Sequence, residues 1–110
     1  MIKVTVYKNE KHEFVGFIAS GHAGFSDDGQ DIVCAAASVL MVNTINAIEK
    51  FLPDDFTLIS DDEDGSIDFS LKNHPTAETT LLLKTMLLGL EDMENDENYE
   101  QYIDIIYEEV

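Results

Sequence analysis

From Asp31 to Leu52 the chain reads DIVCAAASVLMVNTINAIEKFL, and this stretch determines how the rest of the domain is arranged. Its apolar residues recur at helical spacing and share one face, whereas its polar residues mark another. The apolar face comprises Cys34, Met41, Ile45, Ile48 and Leu52, and the polar face Asn43, Asn46 and Lys50. The pattern predicts an amphipathic helix of about five to six turns. Pro53 ends it, because proline cannot continue a helix.

Strand patterns lie on both sides of this helix. Residues 2–6 alternate apolar with polar side chains, and residues 14–19 are rich in aromatic and β-branched types, which predicts a hairpin around the turn KNEKHE. Residues 56–60 and 66–72 flank the sequence DDEDG. This arrangement predicts a second hairpin, in which Gly65 takes a positive φ.

The C-terminal third adds one helix and one strand. Pro75 stands at the start of a leucine- and methionine-rich helical segment, and residues 99–110 return to a strand-like composition. The element order is therefore ββαββαβ. We expect an α+β fold in which residues 1–110 form a single compact domain, with two helices packed on one β-sheet.

Charge and composition exclude several classes of function. The 110 residues carry a formal net charge of −17, with six lysines and no arginine, so we expect no direct binding to nucleic acid. The uninterrupted apolar stretches are far shorter than the roughly 20 residues of a bilayer span. No secretory signal precedes the first strand. We therefore expect no membrane association and a cytoplasmic location, where a single cysteine stays reduced.

Two motif-like stretches and one set of separate residues do not fit the sites they resemble. SDDEDGSIDFSL, residues 60–71, has a serine and a leucine where a calcium loop needs acidic ligands. The glycine-rich GHAGFSDDG lacks the spacing of a phosphate loop, and its aspartates would repel a phosphate. The histidines and the cysteine show no paired ligand spacing, so we expect no metal and no other cofactor.

Cys34, the only cysteine, is the strongest candidate for chemistry. If the helix begins near Asp31, Cys34 lies in its first turn, where unpaired amides and the helix dipole favour a thiolate. His22 follows the second strand, and the intervening residues can fold back to bring its imidazole to the sulfur. Asp31 is ambiguous, because it could cap the helix, orient the imidazole or oppose thiol activation. A structural role also stays open, since cysteine is among the most buried residue types.

The strings GHA at Gly21–Ala23 and DIVCAAAS at Asp31–Ser38, with Gly29 between them, resemble the ribosomal-processing cysteine protease Prp family. The resemblance extends to length, element order and the acidic C-terminal part. It implies a cytosolic, usually dimeric endopeptidase that removes a short N-terminal extension from large-subunit ribosomal protein twenty-seven. In this chain it assigns Cys34 as nucleophile and His22 as general base, with Asp31 and Ser38 as supporting positions.

The chemistry implied by this family predicts further features of the site. The amides of Cys34 and Ala35 would stabilise the oxyanion. The glycines Gly21, Gly24 and Gly29 suit a flexible loop that moves to admit a peptide. Phe25 and the apolar helix face near Met41 would meet apolar substrate residues, and the negative charge would steer a basic ribosomal protein to the site.

Two rival functions use the same residues differently. A thiol redox sensor would also place an activated cysteine at a helix start, but it would have to take its resolving thiol from a second subunit. A non-catalytic acidic adaptor would bind basic ribosomal proteins and bury Cys34 in its core.

Overall fold

The computed structural model describes residues 1–21, 28–61 and 65–110, and the side chains of residues 32 onward within the first helix. The chain folds in the predicted ββαββαβ order, which confirms the α+β class. The strands are β1 (Ile2–Lys8), β2 (Phe14–Ser20), β3 (Phe56–Asp61), β4 (Ser66–Leu71) and β5 (Ile103–Glu109). The helices are α1 (Asp28–Phe51) and α2 (Ala77–Glu94), and a short 3₁₀ turn, Glu100–Tyr102, leads into β5.

The five strands form one mixed sheet in the order β3-β4-β2-β1-β5. β1 pairs parallel with β5, and the other neighbours are antiparallel. Both hairpins predicted from the sequence are present. Gly65, before β4, has a φ of +69°, which confirms the expected positive value.

The core lies between the sheet and the two helices. The alternating residues of β1 turn Ile2, Val4 and Val6 inward, where Phe17 and Phe69 stack with ring centroids 5.4 Å apart. From α1 the core receives Val33, Ala37, Met41, Ile45 and Ile48, and from α2 Leu83, Met86, Leu87 and Leu90. Burial of this contiguous cluster drives folding, because each such side chain contributes roughly 1.5–3 kcal/mol when removed from water.

Helix α1 is more apolar than its core role requires. Its segment Ile32–Phe51 is long and apolar enough to cross a bilayer by length and composition alone, with a mean hydropathy of 1.6, although a core helix of a globular domain satisfies the same criterion. Only 33% of this segment is buried. Part of its apolar surface therefore faces away from the core.

Candidate active site

Cys34 lies on α1, half-buried at the edge of the core cluster. The buried side chains of Val33 and Ala37 anchor this part of the helix against the sheet. The helix begins at Asp28, so Cys34 is its seventh residue and lies in the second turn. The prediction that Cys34 occupies the first turn was wrong by three residues.

The start of α1 was misplaced because the sequence offers several suitable first residues. Ser26, Asp27 and Asp28 are residue types that favour helix N-termini as strongly as Asp31 does. Asp31 lies within the helix and does not occupy the N-cap position, so that expected role is corrected. Among the described side chains of α1 the buried pattern begins at Val33, so it does not mark where the backbone first turns.

The earlier helix start also changes which amides are available. The N–H groups of Cys34 and Ala35 lie inside the helical hydrogen-bond ladder, where they pair with the carbonyls four residues back. Within α1, the N–H groups that lack an intrahelical partner are instead those of residues 28–30. The expected oxyanion role for the amides of Cys34 and Ala35 is therefore wrong for this backbone.

Gly21 closes β2 and begins the connection to α1. Its φ is +86°, and a Cβ at this position would collide with the backbone carbonyl oxygen of Met1. Glycine is required here on both grounds, because L-residues with side chains rarely adopt this conformation. The backbone conformation at the end of β2 is thus fixed by the glycine at this position.

The other predicted residues of this connection have different outcomes. His22, Gly24 and Phe25 lie outside the described residues, so the predicted contact between His22 and Cys34 stays a prediction, as does the flexible loop at Gly24. Gly29 belongs to the first turn of α1 and not to the loop. Only seven residues, 21–27, join β2 to α1, which keeps the end of that strand and the start of that helix at one end of the domain.

Ser38 lies one helical turn beyond Cys34 and is also half-buried. The spacing of four residues places both side chains on the same side of α1. Met41, in contrast, is only 2% exposed and cannot contact a substrate. The large exposed apolar residues among residues 32–42 of α1 are instead Ile32, Val39 and Val42, which the sequence reasoning missed. These residues lie off the apolar face that helical periodicity defines for α1, and that departure was the signal that could have identified them as exposed.

Two of the three histidines, His12 and His74, lie among the described residues. His12 occupies a turn with a φ of +63° and is exposed. The Nδ1 atom of His74 lies 2.8 Å from Oε1 of Glu13 on the surface. In the described part of the chain, no three His, Cys, Asp or Glu side chains gather closely enough to hold a metal ion.

Three ionisable groups elsewhere have shifted pKa values. Hydrogen bonds from Asn9 and then His74 lower the pKa of Glu13. Partial burial raises the pKa of Asp54, but hydrogen bonds from the backbone and side chain of Thr76 outweigh it and give a net lowering. Burial, with the nearby carboxylate of Glu91, raises the pKa of Tyr107 to about 12. All three groups lie outside the candidate site, and their pKa shifts reflect local hydrogen bonds and burial.

Comparison with known proteins identifies the family of this site. The sequence profile described as cysteine protease Prp matches residues 1–104. A protein of Staphylococcus aureus named ribosomal processing cysteine protease Prp is 32% identical over 98 residues, covering 89% of this chain and 92% of that protein. A Bacillus subtilis protein of the same name is 30% identical over 104 residues, covering 87% and 89%.

Solved structures agree with the sequence matches. A crystal structure of an essential ribosomal processing protease Prp from S. aureus, in complex with a substrate peptide, superimposes with a TM-score of 0.91 at 30% identity. It covers 98% of this chain and 100% of that one. A second S. aureus structure, with a covalently linked product peptide, gives a TM-score of 0.86 at 31% identity, with coverages of 98% and 100%.

Proposed function

The chain belongs to the cysteine protease Prp family, and we propose that it removes the N-terminal extension of large-subunit ribosomal protein twenty-seven. The observation that carries the proposal is the match of one family profile to almost the whole chain, including the segment around Cys34. The names of the S. aureus and B. subtilis relatives support a ribosomal protein as the class of substrate. Removal of the extension supports ribosome maturation.

Cys34 is the proposed nucleophile and His22 the proposed general base. The imidazole takes the thiol proton, the sulfur attacks the scissile carbonyl carbon, and the negative charge passes to the carbonyl oxygen. The imidazolium then protonates the leaving amine as the carbon–nitrogen bond breaks, which leaves a thioester on Cys34. A water molecule, deprotonated by His22, hydrolyses the thioester and regenerates the thiol.

The position of Cys34 is compatible with this chemistry. Cys34 is half-buried at the edge of the core, beside the fully buried Val33 and Ala37, so the residue is not sealed within the core. A structural cysteine of the adaptor type would instead lie fully within the core. Ser38, on the same side of α1, is a supporting residue beside the nucleophile.

The proposal also covers the electrostatic attraction of the substrate, the location of the enzyme and its oligomeric state. A ribosomal protein is basic as a class, so the net charge of −17 accelerates its approach at low salt. The same charge disfavours direct contact with nucleic acid. The enzyme works in the cytoplasm, where its thiol stays reduced, and as a homodimer.

Incubation with N-terminally extended ribosomal protein twenty-seven, followed by mass spectrometry of intact proteins, tests the proposal. We expect one cleavage in the extension, complete inhibition by thiol alkylation, and activity only under reducing conditions. Cys34→Ser and His22→Ala should lower turnover by a factor on the order of 10³ or more, because nucleophile and base act as one unit.

His12→Asn is the matched control for His22→Ala, since asparagine tolerates the positive φ of that turn. It should cleave at the wild-type rate. Normal turnover by His22→Ala would show that the assigned base is wrong. Binding of the ribosomal protein without cleavage, unaffected by Cys34→Ser, would favour the adaptor.

A further inference from the structure

The two edge strands of the sheet, β3 and β5, differ in how they are protected. At the β5 edge, Oε2 of Glu94 accepts a hydrogen bond from the backbone N–H of Ile105 at 2.7 Å. Three of the seven residues of β5 are acidic. Side chains that occupy the backbone groups, and charges along the strand, keep a further strand from pairing with an edge. The β5 edge is therefore protected.

The β3 edge lacks this protection. The backbone N–H of Lys72 donates to the carbonyl oxygen of Asp55 at 3.0 Å, so these residues form a hydrogen-bonded pair of the β3–β4 ladder. Such pairs alternate with non-hydrogen-bonded pairs, so Phe56, Leu58 and Ser60 direct their backbone N–H and C=O groups away from β4. Among the described residues, no side chain forms a hydrogen bond with these backbone groups. A further strand can therefore pair with them.

Apolar side chains are exposed on both faces of the β3 edge. Leu58 faces the helices, as its partner Phe69 does, yet Leu58 is 43% exposed and Phe69 is fully buried. Ile59, on the opposite face, is 62% exposed. Val42 of α1 is 46% exposed and lines a cavity of about 190 Å³ together with Leu58. Helix α1 therefore leaves part of β3 uncovered.

We infer that the β3 edge is the surface through which two copies of this chain form a dimer. The two β3 strands pair antiparallel about a two-fold axis perpendicular to the sheet, which joins both sheets into one. An antiparallel edge strand is complementary to itself, so each copy supplies the hydrogen-bonding groups that the other needs. Leu58 and Val42 of the two copies then cover one another. The inference rests on the homodimer of the proposed function and gives that dimer its interface.

Charge favours a second copy over a basic partner at this edge. Asp61 is the only charged residue among the six of β3, whereas 26% of the whole chain is charged. Two copies that each carry a net charge of −17 repel one another, and they approach most readily where few carboxylates meet. A basic protein gains most at acidic surfaces, and β3 offers it one carboxylate.

This pairing determines where the two copies of Cys34 lie. Because the axis is perpendicular to the sheet, both α1 helices lie on the same face of the joined sheet and run antiparallel to each other. Val42 lies near the axis, since it shares a cavity with Leu58. Cys34 precedes Val42 by eight residues, about 12 Å along the helix. The two cysteines are therefore at opposite ends of the helix pair, about 25–35 Å apart.

Disulfide cross-linking tests the strand pairing directly. Residues opposed across an antiparallel pair share a face, so the axis passes beside Leu58 or Ile59, the central residues of β3. A residue on the axis faces its own copy, with Cα atoms about 4.5–5.5 Å apart, a spacing that a disulfide spans. Leu58→Cys and Ile59→Cys are made separately in a Cys34→Ser background and oxidised with copper phenanthroline.

We expect at least one of these variants to form a covalent dimer about 10-fold or more faster than the control, because pairing holds its two thiols at high effective concentration. The matched control is Leu81→Cys in the same background, at a 64% exposed position on α2. If neither β3 variant cross-links faster than Leu81→Cys, the inference is wrong.

Sedimentation equilibrium measures the dimer affinity. Leu58→Asp and Ile59→Asp should each raise the dimer Kd about 10-fold or more, because the interface then brings together two carboxylates. Both positions are already exposed, so the variants should fold, which circular dichroism checks. Leu81→Asp makes the same change of charge away from β3 and should leave Kd unchanged. An equal rise of Kd for Leu81→Asp would show an effect of net charge alone and overturn the assignment.

Salt provides an independent measurement of the same interface. Raising NaCl from about 0.05 M to 0.5 M should lower the dimer Kd about 3-fold or more, because salt screens the repulsion between two acidic chains and leaves uncharged contacts intact. A Kd that rises with salt would indicate an interface held by ion pairs, which β3 cannot supply, and would overturn the inference.

The single cysteine allows the two active sites to be located without substitutions. A nitroxide is attached to Cys34 of the wild type, and double electron–electron resonance measures the distance between the two labels. We expect about 25–35 Å. A distance below about 20 Å would place the two active sites against each other, which antiparallel α1 helices do not allow.

Cleavage of N-terminally extended ribosomal protein twenty-seven is measured in parallel, so that the possible failures are distinguishable. If the wild type dimerises through β3 but does not cleave, the interface stands and the proteolytic function fails. If the wild type cleaves as a monomer, the homodimer and this inference both fail while the proteolytic function stands. If a dimer forms that neither Leu58→Asp nor Ile59→Asp weakens, the interface alone is wrong.

Discussion

The two helices of this domain begin in different ways. At the start of α2, Thr76 is the N-cap, and its hydroxyl oxygen accepts a hydrogen bond from the backbone N–H of Thr79 at 3.2 Å. Asp54 receives the backbone N–H and the hydroxyl of Thr76, each at 2.8 Å. Because Asp54 follows α1 closely in sequence, this cluster ties the end of one helix to the start of the other.

The start of α1 combines acidic residues, glycines and Cys34. Asp28 and Asp31 lie in its first turn together with Gly29, a residue that weakens helices, and Cys34 follows in the second turn. A sequence chosen for helix stability alone would not place glycine there. The start of α2 is thus held by hydrogen bonds that stabilise the fold, whereas the start of α1 lies close to Cys34, the proposed nucleophile. Substitutions at the two ends should therefore separate stability from activity.

Gly21→Ala should have the largest effect on stability, because it disturbs the point at which the chain leaves the sheet for α1. A side chain at φ +86° costs about 1–2 kcal/mol, and the collision with the carbonyl of Met1 adds about 1 kcal/mol or more. We expect the free energy of unfolding to fall by about 2–3 kcal/mol, measured by urea denaturation. Cleavage should fall as well, because Gly21 directly precedes the proposed general base in the sequence.

Gly29→Ala is the contrast for Gly21→Ala. The helical backbone at Gly29 is readily adopted by alanine, so this change should stabilise the protein by about 0.5–1 kcal/mol. Equal destabilisation by the two substitutions would contradict the distinction between a strained turn and an ordinary helical position.

Thr76→Ala should lower stability and leave the chemistry unchanged. Loss of an N-cap hydroxyl costs about 1 kcal/mol, and here the same hydroxyl also donates to Asp54. We expect the free energy of unfolding to fall by about 1–2 kcal/mol, while kcat/KM at a temperature where the protein is folded stays within about 2-fold of wild type. Thr76→Ser retains the hydroxyl and should recover most of the loss. A fall in kcat/KM larger than the fall in folded fraction would mean that the two helix starts are coupled.

Much of this arrangement was predictable from the sequence. Alternating and helical periodicities reveal which side chains face the core, and they predicted the element order, both hairpins and the positive φ of Gly65. The first residue of α1 was not predictable, because Ser26, Asp27, Asp28 and Asp31 are all suitable there. The apolar face near Met41 was expected to contact the substrate, and at Met41 itself this was wrong for a related reason. Periodicity locates the apolar face of α1, but only the packed sheet shows that Met41 is covered and Val42 is not.

Lowering the pH should weaken the hydrogen bonds that Asp54 accepts from Thr76 at the start of α2. The pKa of Asp54 is lowered in the folded protein, so this group stabilises the fold above its unfolded pKa, and the contribution is lost as pH falls through the folded value. Asp54→Asn should therefore be less stable than wild type at neutral pH, and the difference should shrink below about pH 4. Urea denaturation at a series of pH values measures this difference in the free energy of unfolding. Asp55→Asn, at the exposed neighbouring position, is the control, and the same pH-dependent difference there would refute the assignment.

His74→Gln should have the smallest effect of all, although it breaks the contact between His74 and Glu13. The side chain of His74 is 70% exposed, and exposed ion pairs contribute little to stability because water screens them. Glu13 also keeps its hydrogen bond from the side-chain amide of Asn9, at 2.9 Å, which is the larger cause of its lowered pKa. We expect the thermal unfolding midpoint and the cleavage rate of His74→Gln to match those of wild type within replicate error. A marked loss of cleavage would show that the surface around His74 takes part in binding the substrate, and that the chemistry extends beyond the start of α1.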